Sequence, residues 1–154
     1  MRLSNQDTFC TALALTSGAD GTASVTTYTD ILDFGSHGSD ILKKLFLVGI
    51  CTQALVSAAS YASTVAIYWQ TSAAEAMSNP VETLLTPSAL TDAGLTLNKV
   101  VLNNMVLPSG TSLLRYNRLK FVLTPGDNSG TETYPTTVPK FTAFITDNRE
   151  EPLA

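Results

Sequence analysis

Apolar and polar positions alternate most clearly over residues 113–124, where Leu119, Phe121 and Leu123 fall on one face and Arg118, Lys120 and Val122 on the other. Successive strand side chains point to opposite faces, so this pattern predicts a half-buried strand with a basic outer face. Pro108-Ser-Gly-Thr111 leads the chain in, and Pro125-Gly-Asp-Asn-Ser-Gly130 leads it away. The same design repeats along the chain. Strands are predicted over 8–15, 24–34, 42–56, 61–71, 83–86, 95–107, 113–124 and 139–146. In 24–34, Val25, Thr27, Thr29 and Ile31 share a face; in 61–71, Val65, Ile67 and Trp69 share one and Tyr68 takes the other. Leu95, Leu97 and Val101 are the apolar positions expected to face inward in 95–107. Segment 42–56 is apolar on both faces, as expected of a strand in the middle of a sandwich or one whose outer face a partner covers.

The one helical signal is 72–79, where Ser72 and Glu75 form a capping-box pattern ahead of Pro80. About eight strands with one short helix and no long helical crossovers predict an all-β fold, an eight-stranded antiparallel jelly-roll sandwich. An immunoglobulin-like sandwich comes second, because the paired cysteines flanking a Trp are missing. With no internal repeat, 1–154 reads as a single domain with a flexible N-terminal arm over about 1–7 and a C-terminal tail over about 147–154.

Composition agrees with strands and narrows function. Thr and Ser make up 36 of 154 residues, and 44% hydrophobic content with 14% charge excludes a self-repelling disordered chain. A net charge of −4 argues against nucleic-acid binding, which needs cations to displace phosphate counterions. The most apolar run, 45–59, is interrupted and too short for a membrane helix, and no signal-peptide core precedes it. No membrane partner is expected.

Catalytic chemistry finds few hosts. His37 is the only histidine and lies between glycines in a loop; no G-x-S-x-G elbow or phosphate-binding loop occurs. Cys10 and Cys51 are distant in sequence and read as free thiols, or as one disulfide if they meet; with His37 they do not make a zinc set. Asp30 with Asp33, and Glu75 with Glu82, do not form an evident carboxylate pair, and 127–132 lacks calcium-loop spacing. No cofactor, metal or enzymatic activity is expected. Tyr28, Tyr61, Tyr68, Trp69 and Tyr134 are the candidate sugar-stacking aromatics, with Trp69 assigned to the core.

Two stretches in order resemble a known family. Val65-Ala-Ile-Tyr-Trp-Gln-Thr-Ser-Ala-Ala-Glu-Ala-Met-Ser-Asn-Pro80 and Arg115-Tyr-Asn-Arg-Leu-Lys-Phe121 are similar to strand blocks of the jelly-roll capsid cement, or decoration, proteins of short-tailed bacteriophages. Ile31-Leu-Asp-Phe-Gly35 and Phe141-Thr-Ala-Phe-Ile145 resemble two further strands of that family, so the likeness spans roughly 24–147. The chain departs from it at Ala73-Ala74, where the family has two acids, and in its longer 125–139 loop. The resemblance implies a homo-oligomeric virion protein, made in the host cytoplasm, that binds the outside of the major capsid protein shell and stabilises the head. The contacts expected are Arg115, Arg118 and Lys120 against an acidic partner, with the arm 1–9 and the tail 147–154. The alternative is a lectin-like carbohydrate-binding module on the virion surface.

Overall fold

The structure, a computed structural model, describes residues 8–16, 24–34, 46–57, 62–86, 88–106, 114–126 and 135–146. These form nine strands: β1 (Thr8–Ala14), β2 (Val25–Tyr28), β3 (Leu32–Asp33), β4 (Phe46–Gln53), β5 (Thr64–Ser72), β6 (Val81–Leu84), β7 (Lys99–Val106), β8 (Tyr116–Thr124) and β9 (Lys140–Thr146). One antiparallel sheet has the order β1-β9-β4-β7; the other has β2-β8-β5-β6, with β3 also paired to β8. We call them sheet A and sheet B. The pairs β1/β9, β2/β8, β4/β7 and β5/β6 are nested, so the chain folds back on itself about the β5–β6 turn near its middle.

Inward side chains of the two sheets meet in one core, as in a β-sandwich. Phe121 of β8 stacks on Phe141 of β9 with centroids 4.8 Å apart, and Phe9 of β1 meets Trp69 of β5 edge to face at 5.2 Å. The predicted alternations hold here: Leu119, Phe121, Leu123, Val65, Ile67 and Trp69 are all buried.

Local geometry overrides the sequence pattern in three places. The short helix expected over 72–79 does not form, and no helix occurs among the described residues. Ser72 is the last residue of β5, its Oγ accepts from the Ala74 N–H, and the Met77 N–H closes a single turn on the Ala74 carbonyl. Met77 (φ 52°) and Asn79 (φ 48°) then take left-handed conformations that no helix can continue. The strand expected over 24–34 is divided into β2 and β3, which is why nine strands appear instead of eight. Here the Thr29 hydroxyl accepts the Leu119 N–H, while the Asp30 N–H turns to the Phe9 carbonyl of the other sheet. Ile31 is thereby put outside. Leu97, expected inward, is 61% exposed, because β7 begins only at Lys99, after Asn98 resets the chain with φ 62°.

Among the described residues, the strands at all four sheet edges are blunted. Edge strands β2 and β6 have four residues each, and β1 and β7 carry register shifts against their neighbours. In β1 the irregularity includes exposed Ala12 at φ 49°, a conformation that costs an L residue about 1 kcal/mol or more. Ala12→Gly is therefore expected to raise the unfolding free energy by up to about 1 kcal/mol, read as a higher urea midpoint; a lower midpoint would contradict the strain.

Candidate functional site

Sheet B presents a polar outer face built on β8. Because Leu119 points inward, Arg118 and Lys120 point outward, flanked by Tyr28 of β2 and by Tyr68 and Gln70 of β5. Lys120 lies between Tyr28 and Tyr68 in register, and Arg118 lies opposite Gln70. The next strand places Leu84 beside Tyr68 and Glu82 beside Gln70.

The three cations predicted as partner contacts are held differently. Arg115, just before β8, makes a two-pronged pair with Asp33 of β3: Nε to Oδ1 at 2.8 Å and Nη2 to Oδ2 at 2.7 Å. That hydrogen-bonded pairing, more than its Coulombic part, raises the already high Arg115 pKa further. Lys120 Nζ donates to both Glu82 oxygens, at 2.9 and 3.1 Å, and lies 5.1 Å from the Tyr68 ring centroid. Arg118 donates from Nε to Gln70 Oε1 at 2.6 Å, and its guanidinium lies 3.8 Å over the Tyr28 ring. Gln70, almost fully buried beneath this cluster, donates in turn to Glu82.

Glu82 titrates below the usual carboxylate range, chiefly because Lys120 hydrogen-bonds its charged form; burial opposes this, and Gln70 and the charges of Lys120 and Arg118 reinforce it. Its folded pKa is depressed, so the pair contributes stability above the ordinary carboxylate pKa, and that contribution is lost as pH falls through the depressed value. The sequence pattern pairs Glu82 with no other group and gives Gln70 no role. Strand alternation gives the face of each, but only the β5/β6/β8 register brings them together.

The outer face of sheet A is the opposite in character. Phe46, Val48 and Ile50 of β4 and Phe144 of β9 point away from the core, with Phe144 opposite Val48 and Thr142 opposite Ile50. The two-faced apolar character of segment 42–56 is thus divided. Leu47, Gly49 and Cys51 face the core, and the remaining face is half-buried and outward.

The other candidates are dispersed. Cys10 and Cys51 are both free and buried, on strands either side of β9, opposite Ala143 and Phe141. Two strand spacings and the two-residue offset along β9 put their Cα atoms on the order of 12 Å apart, beyond the ~7 Å limit for a disulfide. Burial, opposed by a backbone hydrogen bond and reinforced by Asp30, pushes the Cys10 thiol up to about 11, so it stays protonated at neutral pH. It lines an open cleft of about 400 Å³ with Thr8, Thr11 and Asp30. Trp69 is in the core and Tyr28 and Tyr68 share the outer face of sheet B, while His37, Tyr61, Tyr134, 127–132, residues 1–7 and 147–154 lie outside the described residues. Among the described residues no group of three or more His, Cys, Asp or Glu could hold a metal, and no helix is long and apolar enough to cross a membrane. No family model matches the chain, and no curated protein sequence matches it.

Proposed function

We propose that this protein is a virion structural protein, a homo-oligomeric jelly-roll cement subunit that binds the outside of a capsid shell of major capsid protein and stabilises it without performing chemistry. The observation that carries the reading is the apolar outer face of sheet A. Half-buried Val48, Ile50 and Phe144 turn apolar side chains outward, where a solvated sheet would carry polar residues. The blunted edges direct association to faces instead of strand addition. The nested order β1-β9-β4-β7 and β2-β8-β5-β6 supports the jelly-roll assignment, since a long hairpin rolled into two sheets gives this pairing. The two stretches that resemble the cement family, 65–80 and 115–121, belong largely to β5 and β8, which pair along their whole length.

The test is co-sedimentation with capsids stripped of this protein. Binding at a fixed, saturable number of copies per major capsid subunit is expected; absence of binding would leave only the fold. One observation favours the second reading, a carbohydrate-binding module: Tyr28 and Tyr68 share one face with polar neighbours. Glycan-array binding that is lost in Tyr68→Ala would support it.

A further inference from the structure

The cations of the sheet B face differ in what they still lack. Arg115 and Lys120 each meet a carboxylate of this chain, Asp33 and Glu82. Arg118 meets none within ion-pair distance among the described residues: Glu82 is engaged by Lys120 and Gln70 and feels Arg118 only through its field. Arg118 is nonetheless held in place. Gln70, itself nearly fully buried, fixes Nε, and the Tyr28 ring supports the guanidinium plane. Both η nitrogens are left without a protein acceptor among the described residues. A guanidinium oriented in advance loses little side-chain freedom on meeting a carboxylate, and two parallel N–H groups match its two oxygens.

From this we infer that the outer face of sheet B is a docking surface for an acidic protein segment, with Arg118 receiving one carboxylate. Around it Tyr28 is 44% exposed and Leu84 50% exposed, with half-buried Tyr68 between them in the sheet. Arginine and tyrosine flanked by apolar surface are the usual composition of an interface hot spot. The Lys120–Glu82 pair cancels itself, so among the described residues the face offers a single unmatched positive charge. A nucleic acid, which needs several phosphates neutralised, fits it poorly. The inference rests on reading this protein as one that binds another protein, but not on that partner being a shell.

The probe is a blocked hexapeptide of alternating Glu and Leu, with its Gln/Leu counterpart as control, titrated into the full chain and followed by NMR at arginine Nε–H and tyrosine ring signals. Saturable shifts at Arg118 and Tyr28 with the Glu peptide alone are expected. Arg118→Gln should weaken binding about tenfold or more, and Arg118→Lys, which keeps the charge without the fork, should fall between. No saturable shift at millimolar peptide, equal binding of both peptides, or unchanged binding by Arg118→Gln would overturn the inference. Shifts with maltohexaose and none with the Glu peptide would also overturn it, in favour of a sugar site. If the peptide result fails while the protein still saturates stripped capsids, the inference falls and the cement reading stands.

Discussion

Asn117→Ala is expected to lower the unfolding free energy by about 3 kcal/mol, a large share of the 5–15 kcal/mol typical of a domain. Asn117 is fully buried on β8. Its Oδ1 accepts the Trp69 indole N–H at 3.0 Å, and its Nδ2 donates to the Leu114 carbonyl at 2.8 Å and the Arg115 carbonyl at 3.3 Å. Alanine leaves these groups unequally placed. The Arg115 carbonyl keeps the Phe34 N–H at 2.9 Å, and half-buried Leu114 lies near solvent. The indole N–H of buried Trp69 keeps nothing, and an unmatched buried donor costs about 1–3 kcal/mol before the cavity is added. Urea unfolding followed by circular dichroism reads the cost in any background, including one that lacks Trp69, the only tryptophan. In a Trp69→Phe background the donor is already gone, and Asn117→Ala should cost clearly less there. Equal costs in the two backgrounds would contradict the assigned bond.

The second large effect is at Gly49, which faces the core from β4. A Cβ there would lie 2.9 Å from Leu102 Cδ1 and 3.0 Å from its Cγ, and Leu102 is buried on the neighbouring β7. On the other side Gly49 is opposite Ala143, so small residues line this row of sheet A. Gly49→Ala is expected to cost about 1 kcal/mol, because the tip of Leu102 can give a little. Gly49→Val should cost about 3 kcal/mol, at the upper end of the range for overpacking. Leu102→Ala alone should also destabilise, by about 2–5 kcal/mol. The double variant Gly49→Val/Leu102→Ala should be more stable than the sum of the two costs predicts, since each change makes room for the other. Strict additivity in urea unfolding would show that the two residues do not compete for one space.

Much of this architecture was legible because it is local. Alternation of Val65, Ile67 and Trp69, and of Leu119, Phe121 and Leu123, identifies two central strands and the face each buries. The reading failed where one residue changes the local conformation. Positive φ at Met77 and Asn79 turns a capping-box sequence into a turn, and Asn98 shifts the start of β7 so that Leu97 faces out. Asp30 breaks a strand by bonding across to Phe9. The polar face was legible only in part. Alternation predicted that Arg118 and Lys120 share it, but pairing of strands distant in sequence decides that Lys120 meets Glu82 and Arg115 meets Asp33. That pairing leaves Arg118 the one cation of the three without a carboxylate among the described residues.

A protein proposed to stabilise an assembled shell by binding only that state must raise the state's stability. The most direct measurement is the melting temperature of stripped capsids as the purified protein is added. The account predicts a rise that saturates at the same copy ratio as binding. An unchanged melting temperature at saturating occupancy would contradict it.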